Sequence, residues 1–169
     1  MQQFKNISKD LFFIQIADAM STRATCLRRR YGAVIVSEDG RVVSAGYNGA
    51  PRTRKHCTDI GICLREAKHI KPGTHYELCR SVHAEANAII NGDPLAIRNG
   101  TLYLAGNDVI TNKPTAAIYP CAMCQRMILN AQIKRVVLRN EDGTLLSINP
   151  LDFPDDALTE TNKDSLLGC

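Results

Sequence analysis

Two short segments far apart in the chain constrain its fold more than anything else: His83-Ala84-Glu85 and Pro120-Cys121-Ala122-Met123-Cys124. Zinc takes imidazole nitrogen and thiolate sulfur, and a catalytic zinc keeps three protein ligands and one open position. His83, Cys121 and Cys124 supply that count, so any fold that uses it must bring the segments together. Two thiolates and a neutral imidazole cancel the metal's charge, which leaves it a weaker Lewis acid than one held by three histidines. Such a centre needs a base nearby, and Glu85 stands two positions from the histidine. Cys-x-x-Cys alone would fit a redox pair or half a structural site, and His-x-Glu alone carries almost no information. Together, each opening an apolar helical stretch, they are specific.

The local pattern supports a shared site. Residues 83–91 are rich in helix formers and stop at Asn91-Gly92-Asp93-Pro94. Pro120 sits where a helix can begin, because its missing N–H would be unpaired there. Cys121 and Cys124 then share one helix face, and Met127, Ile128 and Ala131 carry an apolar stripe into a core. Both ligand groups should therefore lie in first helical turns, where free N–H groups favour thiolate over thiol. Earlier in the chain, Ser8 reads as the cap of a helix running to about Arg23, with Phe12, Ile16, Ala19 and Met20 at helical spacing. Residues 32–37 and 41–46 read as a hairpin around Glu38-Asp39-Gly40. Residues 101–105, 134–139 and 144–148 read as three more strands, the last two antiparallel. Residues 107–113 read as a turn or hairpin insertion, after which 115–119 returns extended. A helix, a hairpin, then strands alternating with two helices predict an α/β fold, a three-layer α/β/α sandwich on a mixed, about five-stranded sheet. Ligand sites in such sheets fall beyond strand ends at helix N-termini.

At 169 residues the chain is expected to be one domain, with its core over about 10–148 and a polar tail over 149–169. The start lacks an apolar leader, and no apolar run approaches a membrane span. Seven cysteines without a leader point to metal binding in a reducing cytoplasm. A net charge of +4 suits an anionic small molecule but does not call for a nucleic acid. Residues 52–82 show little periodicity and hold three of the seven cysteines, Cys57, Cys63 and Cys79, with His56, His69 and His75. A loop this long is expected to be functional or held by something. Candidate phosphate-binding groups are Arg28, Arg29, Arg30, Arg52, Arg54, Lys55, Arg65 and Arg80, all in loops near the expected mouth.

With Gly46-Tyr47-Asn48-Gly49, His83-Ala84-Glu85 and Pro120-Cys121-Ala122-Met123-Cys124, the chain resembles the cytidine/deoxycytidylate deaminase superfamily, and within it the deoxycytidylate (dCMP) deaminases. The resemblance covers about residues 10–139 and implies a cytidine deaminase-like fold and hydrolytic deamination of dCMP to dUMP. It implies zinc on His83, Cys121 and Cys124, Glu85 as proton shuttle, Asn48 on the sugar or ring, and the Ala84 backbone against the pyrimidine. It further implies a structural zinc tying the loop to the first helix–strand junction, for which Cys26, Cys57, His75 and Cys79 make a closed set and His56, Cys63 and His69 are rivals. Assembly as a homo-oligomer, typically a hexamer, and response to dCTP and dTTP effectors with Mg²⁺ are family traits of the same kind. A tRNA adenosine deaminase shares both motifs, but the loop composition and modest charge favour the mononucleotide enzyme. A riboflavin-pathway deaminase usually spaces its cysteines further apart. A non-catalytic, zinc-stabilised late-competence module would have no use for Glu85.

Overall fold

Along the first strand, Ala33 and Ile35 join one buried apolar cluster while Val34 and Val36 join another, so this strand is covered on both faces. A computed structural model describes residues 6–71, 73–115 and 119–154 of the chain. Its elements run α1 (Lys9–Ser21), β1 (Arg29–Val36), β2 (Val42–Tyr47), α2 (Cys57–Ile60), α3 (Leu64–Ala67), α4 (Ala84–Asn91), α5 (Pro94–Ile97), β3 (Thr101–Asp108), α6 (Ala122–Asn130), β4 (Arg135–Arg139) and β5 (Leu145–Ile148). The five strands form one sheet in the order β2-β1-β3-β4-β5. The β3–β4 pair is parallel and the other three are antiparallel, which makes the sheet mixed. Phe13, Ile14 and Ala17 of α1 cover one face, and Ala84, Ala88 and Ile128 from α4 and α6 cover the other. The three-layer sandwich expected from the sequence is the fold observed.

Two glycines let the helices approach. A Cβ on Gly46 would lie 2.4 Å from Ala88 N and 2.6 Å from Ala84 O, so α4 rests almost on the β2 backbone. Gly32 does the same for α1, where a Cβ would lie 2.0 Å from Ala17 O. No other residue could fill either position without parting helix from sheet. Asn87 and Asn91 then donate to the Tyr47 and Ala45 carbonyls, at 2.8 and 3.1 Å, and so tie α4 to the edge strand. The site-bearing helix is thus fixed to the sheet by one close glycine contact and two hydrogen bonds.

On the opposite face α1 is held by ion pairs. Arg135 donates Nη1 and Nη2 to Asp10 Oδ1 and Oδ2 at 2.9 and 2.6 Å, and Tyr103 donates its hydroxyl to Oδ1 at 2.8 Å. The Arg135 hydrogen bonds hold the Asp10 carboxyl below its ordinary value of 3.8, against the opposing effect of burial. A depressed folded-state pKa contributes stability that is complete above the ordinary carboxylate range and fades as pH falls through the folded value. Asp10→Asn is therefore expected to destabilise the protein by about 1–2 kcal/mol at pH 7, with the gap to the parent closing below about pH 4. Thermal melts of both proteins at pH 7 and pH 3 check it, and an equal gap at both values would remove the ion pair from the account.

Element boundaries differ from expectation in four main places. β1 begins at Arg29, three residues early, because it pairs with β3 as far as Asp108, so Arg29 and Arg30 lie in a strand and not in a loop. β3 runs on to Asp108, because the 109–113 turn closes on it: Asp108 N donates to Lys113 O at 2.9 Å, and Asn107 bridges to Pro114. The 91–94 stop is also a start, since Asp93 Oδ1 accepts from Leu95 N and Ala96 N at 2.9 and 3.0 Å and Pro94 opens α5. The 52–82 loop contains the short helices α2 and α3 and a 3₁₀ turn over Tyr76–Leu78. The rest of the extended return, 116–118, and most of the polar tail, 155–169, lie outside the described residues.

Candidate metal centre and active site

The two motifs meet. His83 caps α4 and Cys121 caps α6, each with extended backbone leading into its helix, and Cys124 sits inside the first turn of α6. His83 Nδ1 lies 3.4 Å from Cys121 Sγ and 3.5 Å from Cys124 Sγ. Among the described residues, these three form the one group of His, Cys, Asp and Glu donors that all lie within 4.8 Å of one another. Zn–N and Zn–S bonds of ordinary length, arranged tetrahedrally, place nitrogen and sulfur about 3.5 Å apart. The donor set fits zinc in both chemistry and spacing.

The three donors share protons strongly. The Cys121 sulfur, with its contribution from Cys79 second, holds the His83 imidazolium up to about 10. Cys121 is pulled down to about 4, first by the hydrogen bond from Cys124 and, against burial, by His83. Cys124 is pushed up, by the Cys121 thiolate and by burial. Without metal the triad is an imidazolium, a thiolate and a thiol. Such a set gives up its protons to a divalent cation.

Glu85 stands behind this triad, only 5 % exposed. Burial raises its carboxyl pKa, and the neighbouring His83 charge opposes the rise. A carboxyl in that setting can hold a proton and give it up again, which an exposed glutamate near neutral pH does poorly. His83, Glu85 and Cys121 share one cavity of about 290 Å³ with Tyr31, Asn48 and Tyr119.

Other expected residues are placed as follows. Asn48 lines the cavity, but its amide is engaged with β1: Oδ1 accepts from Tyr31 N at 2.7 Å and Nδ2 donates to Arg29 O at 3.0 Å. One amide hydrogen and one lone pair remain for a ligand. Ala84 is fully buried in the core and is not among the residues lining the cavity. Of the basic candidates, Arg28, Arg29 and Arg65 line the cavity. Arg30 donates to Asn112, Arg52 to Asn91 Oδ1 at 3.1 Å, and Arg80 to Lys55 O at 2.7 Å.

The second cluster is not drawn together as expected: among the described residues, no three of its donors lie within 4.8 Å of one another. Burial raises the Cys57 thiol pKa, and Cys26, Cys79 and Cys63 lie close enough to raise it further. Thr58 N donates to Thr25 O at 3.3 Å, which ties the junction between α1 and β1 to the start of α2. His75 is not brought to them: its side chain is 66 % exposed, and its Nδ1 lies 2.9 Å from Glu77 Oε1. His75 takes left-handed backbone at the start of the 3₁₀ turn, which swings it away from Cys79. The one-helical-turn spacing that paired them does not apply in a 3₁₀ turn. Cys63, at the start of α3, lines the cavity beside Cys26 and Cys79 instead.

The sequence reading also missed Tyr76 and Ser81. The Tyr76 ring meets the His83 ring edge-on, with centroids 5.4 Å apart. Ser81 lies buried in the cavity wall. Neither belongs to a motif, and only the closure of the 52–82 loop over the site brings them in.

The family model for the cytidine and deoxycytidylate deaminase zinc-binding region matches residues 7–140. The deoxycytidylate deaminase of Mycobacterium phage D29 is 35% identical over 137 residues, covering 78% of this chain and 94% of that protein. The deoxycytidylate deaminase of Schizosaccharomyces pombe is 32% identical over 130 residues, covering 77% of this chain but 36% of that protein. The chain thus spans nearly all of the phage relative's length and little over a third of the yeast relative's. The dCMP deaminase of cyanophage S-TIM5, crystallised with dCMP and dUMP, superposes with a TM-score of 0.56 at 23% identity, over 81% of this chain and 85% of that one, and so shares the fold.

Proposed function

The chain belongs to the cytidine and deoxycytidylate deaminase family, and from that premise we propose that it hydrolyses dCMP to dUMP and ammonia, with zinc held by His83, Cys121 and Cys124. The observation that carries this reading is a buried carboxyl, Glu85, sharing one cavity with the three-donor centre. Zinc bound there would supply a Lewis acid and a water of lowered pKa. Glu85 takes the proton from the attacking water and passes protons to ring N3 and to the leaving amine. The C4–O bond forms, the C4–N bond breaks, and ammonia departs. Asn48, with its one free amide hydrogen, touches the sugar or ring; Ala84 takes part only through the main chain between His83 and Glu85.

The named activities of the phage and yeast relatives support dCMP as the substrate. Incubation with dCMP, dCTP, deoxycytidine and a tRNA anticodon stem, followed by ammonia release, tests it. Turnover of dCMP above the other three is expected; preferred release from the tRNA stem would overturn the reading.

A second zinc on the Cys26, Cys57 and Cys79 thiols is part of the same proposal, with Cys63 as the rival for the place of His75. No three of these donors lie within 4.8 Å of one another, so the loop would have to close on the ion. Four thiolates make a closed structural set, and the short α2 and α3 would gain little stability without it. Metal analysis is expected to give two zinc ions per chain, and one per chain would refute the second site. Homo-oligomer formation, and dCTP and dTTP effectors acting with Mg²⁺, come to this chain on family grounds alone. No helix among the described residues is long and apolar enough to cross a membrane; a cytoplasmic setting and a single 1–169 domain are further parts of the proposal.

A further inference from the structure

Three arginines line the cavity, and two of them are already neutralised. Arg28 Nε lies 2.9 Å from Glu66 Oε1, and Arg29 Nε lies 3.9 Å from Asp108 Oδ2, both partly exposed. Arg65 differs on both counts. It is only 5 % exposed, and among the described residues no carboxylate lies within 4.0 Å of it. Its Nη1 donates to His75 O and its Nη2 to Lys71 O at 3.1 Å, and the guanidinium lies 4.7 Å over the Tyr76 ring. Two carbonyls and a ring face orient the guanidinium. Its charge also acts on the Cys79 thiol, whose pKa is lowered, against burial, by the His83 hydrogen bond first and by Arg65 among the smaller causes. A buried cation is costly unless anionic groups meet it, and no carboxylate among the described residues does so here. Three of its five N–H groups remain available.

A second group in the same wall lacks a partner. Ser81 is 9 % exposed, and its Oγ has no hydrogen-bond partner among the described residues. A buried hydroxyl left unmet costs about 1–3 kcal/mol unless a ligand supplies the acceptor. One cavity therefore holds a fixed cation with no carboxylate partner and an unmet hydroxyl, alongside the three-donor centre.

We propose that Arg65, assisted by Ser81, is the anion subsite of this cavity and takes the substrate's phosphate, setting the preference for nucleotide over nucleoside. The assignment rests on the reaction proposed above only for which nucleotide is bound. Arg65 reaches the ligand from α3 in the 52–82 loop, so the same loop that closes the cavity supplies its selectivity. The backbone carbonyls at His75 and Lys71 hold the guanidinium in place beforehand, which reduces the ordering cost at binding.

Calorimetric binding of dUMP and deoxyuridine to the zinc-loaded full chain tests this without relying on turnover. The parent protein is expected to prefer dUMP, and Arg65→Met to narrow that preference roughly 10- to 100-fold. Ser81→Ala, which removes one oxygen and leaves the backbone unchanged, is expected to narrow it about 3- to 10-fold. Zinc content and melting temperature are read on each variant. The proposal is overturned if the parent binds both ligands alike, or if Arg65→Met keeps the preference. It is also overturned if Arg65→Met weakens both ligands equally or sheds zinc, since Arg65 would then be a clamp of the loop. A dUMP preference that Arg65→Met abolishes, in a parent that releases no ammonia from dCMP, would refute the proposed reaction and leave the subsite standing.

Discussion

Glu85→Gln is expected to leave the fold and the bound zinc intact while lowering kcat on dCMP by at least roughly 10²–10⁴-fold. The glutamine keeps the shape and the hydrogen-bonding reach of the carboxyl but can neither take a proton from water nor deliver one to N3. The loss should be in kcat more than in KM, because the proton transfers occur on the way to the transition state. Burial supports this role: Glu85 is 5 % exposed, and its carboxyl pKa is raised by desolvation against the His83 charge. Such an acid is poised to change protonation state during a cycle. A structural reading of the same residue makes the opposite forecast, in which glutamine lowers the melting temperature and spares turnover. Steady-state kinetics beside zinc analysis and a melt separate the two, and an active Glu85→Gln enzyme removes the residue from the mechanism.

The second large effect concerns the metal itself. Cys124→Ala should abolish turnover and release the zinc of the His83 centre, because two of the three protein ligands cannot neutralise and hold the ion alone. Cys124 is only 1 % exposed and its sulfur lies 3.5 Å from His83 Nδ1, within the one donor triad among the described residues. The proton count predicts how affinity should vary with pH. His83 stays protonated up to about 10, Cys124 is shifted upward, and Cys121 has lost its proton above about 4. At neutral pH the empty triad therefore carries two protons, and zinc must displace both. Affinity should fall about a hundredfold for each unit of pH lost in that window, tenfold for each proton displaced. Titrating zinc into metal-free protein in buffers of different ionisation heat should report about two protons released per ion at this centre. A release near zero would mean that the donors are already deprotonated, and the proton-sharing account would fall.

Much of this was readable from local spacing. Ser8 caps α1 through the hydrogen bond from Leu11 N at 3.2 Å, as its position before an apolar period suggests. The β1–β2 hairpin, the two motif-bearing helices and the antiparallel β5 all follow signals a few residues long. The metal-binding triad was legible for a related reason: the chemistry of zinc demands three such donors, and these two motifs together present them at the starts of the two longer helices on that face of the sheet, α4 and α6. The loop was less readable. His75 and Cys79 are spaced for one helical turn, yet the chain there takes left-handed backbone and a 3₁₀ turn, and His75 pairs with Glu77. Among eight basic candidates the sequence offered no ranking.

The sequence by itself determined the strand and helix order, the donor set and the acid beside it, because each depends on residue type and short-range geometry. Tertiary structure alone decided which arginine was buried without a carboxylate partner, which hydroxyl was left unmet, and that His75 turns to Glu77 instead of joining the cysteines. Those outcomes depend on desolvation and on contacts between segments far apart in the chain. A sequence lists the charges, but only the folded chain separates the solvated ones from the buried one.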